Sequence, residues 1–162
     1  MAEGLQSLGF QVDEFLTLSK QETMAIISQY SGLILRSKFT LDAEFIESAS
    51  HLTFIARAGA GLDLIDLAAC QENNIHVFSA NEGNKDAVAE YVMGQLLTIA
   101  HRLNTADAEV RNGIWNREAN RGWEIHGKTI GIIGFGNMGQ ALCQRLLGFG
   151  VKILAYDKYA PA

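Results

Sequence analysis

Three glycines, Gly134, Gly136 and Gly139, stand in G-x-G-x-x-G spacing directly after a short β-branched run, Thr129 to Ile133. The chemistry such a turn offers is the binding of a pyrophosphate. The first glycine permits a tight turn out of a strand, the second lets a phosphate approach the backbone, and the third lets the following helix pack close to the strand. A helix is predicted from Asn137, with Met138, Leu142, Cys143, Leu146 and Leu147 on one stripe until Gly148 and Gly150 end it. Its first turn would present free N–H groups and the positive end of a helix dipole to the phosphates. A second strand, Val151 to Tyr156, leads to Asp157, eighteen residues past Gly139 and close to where an acid holds the ribose hydroxyls of a dinucleotide. A carboxylate there repels a 2′-phosphate, so NAD is favoured over NADP. The glycines alone would suit any βαβ turn; strand, helix, second strand and terminal acid together give the motif its weight.

A second group of residues could bind anions. Strands are predicted over Leu33 to Ser37 and Leu52 to Ala58, with Arg36 and Arg57 near their carboxyl ends, and the loop Ala58-Gly59-Ala60-Gly61 comes directly after Arg57. Ligands of parallel α/β sheets bind beyond the carboxyl ends of the strands, where these residues are placed. Gly59 and Gly61 could turn consecutive backbone N–H groups toward one anion, and the two guanidinium forks could grip a carboxylate or phosphate, with Lys38 as a third charge. One arginine at a strand end is more often simply solvated. Two at equivalent ends beside a glycine loop favour a site, and a pair of cations favours a phosphorylated substrate over a monocarboxylate.

The elements that must position these groups recur about every twenty residues. Residues 2 to 8 read as a helix closed by Gly9, Phe10 to Phe15 as a short alternating strand, and Ser19 with Glu22 as a capping box opening a helix that stops near Tyr30 to Gly32. Helices are predicted over Leu41 to Ala49 and Asp66 to Asn73, and a strand over Ile75 to Phe78. Alternation of this kind builds a parallel sheet. From Asn84 to about Arg111 a single long helix is predicted, with Val88, Val92, Leu96, Leu97, Ala100 and Leu103 as its apolar stripe and Gly94 as a point of close packing. Residues 112 to 127 lack periodicity, and Trp115 and Trp123 are read there as packed anchors.

Composition removes several classes of function. A net charge of −5, pI near 5.3 and no basic cluster argue against nucleic acid as a partner. No apolar run approaches the length of a membrane span, and a soluble, cytoplasmic protein is expected. Cys70 and Cys143 lack metal or redox spacing and read as buried free thiols. His51, His76, His101 and His126 show no metal-ligand spacing, so no metal site is expected. The only proline is Pro161.

Four stretches in order, ARAGAGLDLID (Ala56 to Asp66), NEGNKDAVAEY (Asn81 to Tyr91), ADAEVRNGIW (Ala106 to Trp115) and GKTIGIIGFGNMG (Gly127 to Gly139), resemble the successive signatures of the D-isomer-specific 2-hydroxyacid dehydrogenases. The resemblance implies hydride transfer between NAD and a small carboxylate or phosphorylated 2-hydroxy acid, between a substrate domain and a Rossmann domain, in a homodimer. It places Arg57 and the loop Gly59, Ala60, Gly61 on the substrate, with Arg36 and Lys38 beside them. It places Ala60, Gly134, Gly136, Asn137, Met138, Gly139 and Asp157 on the cofactor. The implied organisation is a flavodoxin-like, partial substrate-binding domain over 1–83, a long interdomain helix and connection over 84–126, and the start of an NAD-binding domain over 127–162. Family members usually carry proline where Asn81 stands and often histidine where Tyr91 stands, so the helix entry is expected to be looser here. They also have a strand before the first helix and a further half holding the catalytic arginine, glutamate and histidine. No residue of this chain takes those places by motif, and an incomplete, inactive piece of an enzyme is expected. From another class, a non-catalytic NAD-responsive regulatory protein would share the same turn.

Overall fold

The computed structural model describes residues 2–159, so Pro161 lies outside the described residues. The chain divides into two compact units, Met1–Ala80 and Asn81–Ala162.

The first unit opens with helix α1, Ala2–Ser7, which ends at Gly9 with φ +90°. Helix α2, Lys20–Ile26, carries the capping box expected of Ser19 and Glu22, each side chain taking up the other's backbone N–H. A single 3₁₀ turn, Ile27–Gln29, carries the chain into strand β1, Gly32–Leu35. Helix α3, Ala43–Ser48, strand β2, Phe54–Arg57, helix α4, Leu67–Glu72, and strand β3, His76–Ser79, complete the alternation. Asp42 and Asp66 cap α3 and α4 by accepting the N–H of Phe45 and Ala69. The sheet is parallel in the order β1-β2-β3, with Leu35 paired to Arg57 and Arg57 to Ser79, so all three strands end at one edge. Leu41, Phe45, Ile46, Ile55 and Cys70 fill its core at 1% exposure or less. Burial, with Asp66 nearby, pushes the Cys70 thiol up, which keeps it protonated and inert. Cys143 is also a free thiol but only half-buried.

The expected strand from Phe10 to Phe15 is not formed. Residues 10–18 run without regular structure, and a cavity of about 790 Å³ lies between this segment, α2 and the outer edge of β1. Alternation of apolar residues makes a strand only when a neighbouring strand takes its backbone groups, and here none is paired to it.

The second unit holds helix α5, Lys85–Ala100, helix α6, Leu103–Arg111, strand β4, Thr129–Ile133, helix α7, Asn137–Leu146, and strand β5, Lys152–Tyr156. The single long helix is thus broken: Arg102 sits in the left-handed region at φ 53° and turns the chain between α5 and α6. The buried stripe matches the expected one only in part: Ala100 is buried and Leu96 packs against the core, whereas Val88, Val92 and Leu103 are exposed and Ala89 and Met93 are buried instead. A Cβ at Gly94 would touch nothing, so close packing is not its reason. The helix entry has no side-chain cap at Asn84. Trp115 is 82% exposed and is no packed anchor. Strands β4 and β5 pair in parallel, with Ile133 beside Tyr156. One face of this sheet packs Ile130, Ile132, Val151 and Ile153 against Met93 and Leu146, while Ile133, Leu154 and Tyr156 stand on the open side. Arg145 of α7 joins Asp86 and Glu90 of α5, and both contacts hold its guanidinium charged.

Candidate functional site: a glycine turn braced from the next strand

The turn between β4 and α7 gives each glycine a distinct task. Gly134 leaves β4 at φ +89°, a conformation costly for any residue with a Cβ, and its N–H reaches Tyr156 O at 2.7 Å, continuing the ladder one step beyond the strand. Gly136 is the N-cap of α7 at φ −74°, offers no side-chain cap, and has open space where a Cβ would stand. Gly139 is buried, and a Cβ there would collide with the carbonyl oxygen of Gly134. The turn therefore has one glycine for its backbone angle, one for close packing, and one, Gly136, whose bareness serves no internal contact. An uncapped helix start beside open space suits an anion, since its N–H groups are unmet by any side chain and carry the positive end of the dipole. Asn137 is exposed and Met138 half-buried in the first turn of that helix.

Asp157, just past β5, lies at the same turn. Its Oδ2 accepts the Phe135 N–H at 2.6 Å and its Oδ1 accepts the Tyr159 N–H at 2.8 Å. The Phe135 carbonyl in turn accepts Gln140 Nε2 at 3.0 Å. The spacing of Asp157 was legible, but its hold on Phe135 and the part of Gln140 were not. The only signal for Gln140 is an amide side chain placed one turn into a helix that begins at a glycine.

The cationic group in the first unit is arranged differently. Arg57 ends β2, and its side chain reaches sideways: Nε donates to Arg36 O at 3.1 Å and Nη2 to Ser37 Oγ at 3.3 Å. A Cβ on Gly61 would stand 2.9 Å from Arg57 Nη1, so a side chain at this glycine would crowd the guanidinium. Gly59 N–H turns back to Arg57 O at 2.8 Å rather than outward, and Ala80 N–H reaches both Arg57 O and Gly59 O. Lys38 Nζ donates to Leu16 O at 2.8 Å. Arg36 is exposed just past β1, and Ala60 lies half-buried in the loop. The Arg57 side chain thus reaches the Arg36 backbone and the Ser37 hydroxyl, while Lys38 is tied toward the 10–18 segment. Among the described residues no group of three His, Cys, Asp or Glu side chains could hold a metal ion, and no helix is long and apolar enough to cross a membrane.

Parallel α/β folds of βα units bind their ligands beyond the carboxyl ends of the strands, the end at which this glycine turn and Asp157 stand. Residues 2–155 match the D-isomer specific 2-hydroxyacid dehydrogenase catalytic domain, and the chain belongs to that family. It is 42% identical over 144 residues to a hydroxypyruvate reductase of Thermotoga maritima, covering 89% of this chain and 47% of that protein. It is 37% identical over 153 residues to D-3-phosphoglycerate dehydrogenase of Rattus norvegicus, covering 94% of this chain and 29% of that one. Among solved structures, the NAD⁺-bound 3-phosphoglycerate dehydrogenase of Entamoeba histolytica superposes with a TM-score of 0.77 at 30% identity, covering 99% of this chain and 49% of that one. The chain thus spans about half or less of the length of these relatives.

Proposed function

We propose that this chain carries the dinucleotide turn and the substrate anchors of an NAD-dependent 2-hydroxyacid dehydrogenase. The first unit is the flavodoxin-like substrate part, and β4-α7-β5 is the first βαβ of a Rossmann domain. The observation that carries the reading is Gly136: its Cβ position is open and the helix start behind it has no cap, so the bareness is accounted for by a ligand and by no neighbour in the chain. Gly134, Gly136, Asn137, Met138 and Gly139 would line the pyrophosphate, and Asp157 would take the ribose hydroxyls. NAD supplies the hydride acceptor; the chain's own residues bind and orient it.

Within the family we favour oxidation of 3-phosphoglycerate to 3-phosphohydroxypyruvate, the entry to serine. Arg36 and Arg57 stand at adjacent strand ends, with Gly59, Ala60 and Gly61 beside them, and two guanidinium groups suit a phosphate together with a carboxylate. Reduction of hydroxypyruvate or glyoxylate, or a D-lactate-type activity, is the second reading, favoured by the 42% identity to a hydroxypyruvate reductase. The outer face of α5, with exposed Tyr91 and Ile99, is the surface through which a homodimer would form.

Calorimetric titration tests the reading directly. NAD should bind the chain, NADP about tenfold more weakly because of Asp157, and a Gly136→Val variant should lose binding of both by more than about tenfold. Equal binding of NAD by Gly136→Val and the native chain would end the proposal. Substrate choice is decided by comparing 3-phosphoglycerate with hydroxypyruvate as ligands of the protein.

A further inference from the structure

Asp157 does more in this structure than wait for a ribose. The backbone of Phe135, between the first two glycines, is gripped on both sides: its N–H is accepted by Asp157 Oδ2 at 2.6 Å and its carbonyl accepts Gln140 Nε2 at 3.0 Å. Asp157 is in turn held at the strand tip by the Tyr159 N–H at 2.8 Å and by the pairing of Gly134 N–H with Tyr156 O. An N–H donated to a carboxylate is stronger than one donated to a neutral oxygen, and one made by a half-buried group is less screened by water. Gly134, at φ +89°, and Gly136, with nothing against it, give the turn little stiffness of their own.

We propose that Asp157 is a positioning residue for the phosphate turn, bracing the Phe135 peptide so that the N–H groups at the start of α7 are already aimed before a dinucleotide arrives. This rests on the dinucleotide reading above for its consequence, and on the Phe135 contact alone for its mechanism. The brace also makes the choice between NAD and NADP harder to alter. Replacing Asp157 to admit a 2′-phosphate would remove the repulsion and slacken the turn that grips the pyrophosphate in either dinucleotide.

The experiment separates the two roles with a ligand that has no diol. Amide hydrogen exchange at Phe135 is measured by NMR on the native chain, Asp157→Ala and the isosteric Asp157→Asn, all without nucleotide. Binding of ADP and of 2′,3′-dideoxy-ADP is then titrated into each. Exchange at Phe135 should quicken by about tenfold or more in Asp157→Ala and by less in Asp157→Asn, which keeps an acceptor, while Ile132 in the strand is unchanged. Dideoxy-ADP should bind Asp157→Ala about threefold to tenfold more weakly than the native chain, although it has no hydroxyls for the acid to lose. Unchanged exchange at Phe135 overturns the proposal, and so does quickened exchange with equal dideoxy-ADP affinity. If the native chain binds neither nucleotide, the dinucleotide reading fails and the proposal's consequence with it. The Phe135 exchange then still shows whether the contact exists.

Discussion

The glycine turn of the second unit and the cationic loop of the first were both read from residue types at strand ends, yet they are built by different means. The turn is shaped by backbone: a positive φ at Gly134, an absent Cβ at Gly139 and a strand-tip hydrogen bond to Tyr156. The cationic loop is shaped by side chains: Arg57 reaches across to Arg36 and Ser37, and Lys38 to Leu16. A feature made of contiguous backbone follows from spacing, because chain geometry leaves it few alternatives. One made of long cationic side chains from two strands depends on rotamers and neighbours that spacing does not reveal. Substitutions that act on backbone shape should therefore have large effects in the turn, and substitutions that act on side-chain partners smaller ones in the loop.

The largest effect is expected from Gly139→Ala. The added Cβ meets the Gly134 carbonyl, a backbone atom that can move only if α7 and β4 separate. The cost should be about 3 kcal/mol, read as a lower urea midpoint with an unchanged slope. A midpoint within error of the native chain would show that the turn is not packed as described and would remove the contrast between the two regions.

Gly136→Ala sharpens the same comparison. The open space and φ of −74° there admit a methyl group without strain, so stability should change by less than about 0.5 kcal/mol. NAD affinity should nevertheless fall by about tenfold, measured by calorimetry, because the methyl occupies the approach of a phosphate. Three glycines of identical composition would then separate into one whose loss unfolds, one whose loss strains and one whose loss only blocks a ligand. The backbone tasks of Gly134 and Gly139 were legible in sequence because the motif is contiguous and flanked by strand and helix.

Other elements were not legible for identifiable reasons. The apolar spacing through Ala100 and Leu103 continues without interruption, yet Arg102 breaks the helix, and nothing in an arginine between His101 and Leu103 announces a left-handed residue. Phe10 to Phe15 alternates as a strand should, but pairing is a property of the neighbour and not of the segment. Asp157 was placed correctly in the chain, while its bond to Phe135 depends on how far the turn folds back. The positions of Arg36 and Arg57 were likewise readable from strand ends, and their engagement with each other was not.

Arg57→Lys should give an intermediate effect. Lysine keeps the charge but cannot reproduce a guanidinium that donates through Nε to Arg36 O and through Nη2 to Ser37 Oγ at once. The loss should be about 1 kcal/mol, seen as faster amide exchange from residue 58 to 61 with the exchange of β4 and α7 unaltered. If those loop amides are unmoved, the loop is held by its own backbone, through the Gly59 and Ala80 hydrogen bonds, and the two regions are alike after all.

The smallest effect concerns acid, and it is read at the junction of α2 and α3. Asp42 caps α3 and meets Lys20 of α2; the Lys20 contact first, and the Phe45 N–H second, hold its carboxyl below the ordinary value of 3.8. Glu22 is likewise held low, by the Ser19 backbone N–H and then its hydroxyl. Groups lowered on folding contribute stability above their unfolded values and lose it as pH falls through the folded ones. The first unit should therefore weaken as pH drops below about 4, where these carboxyls take up protons. Both tryptophans, Trp115 and Trp123, lie in the second unit, so indole fluorescence follows that unit while far-UV circular dichroism follows both. At pH 6 the two signals should give nearly the same urea midpoint, and at pH 3 the dichroism should begin to change at lower urea than the fluorescence. Asp42→Asn, which keeps the cap but cannot titrate, should narrow that gap. A gap of the same size in the variant would locate the acid sensitivity elsewhere than at the junction of α2 and α3.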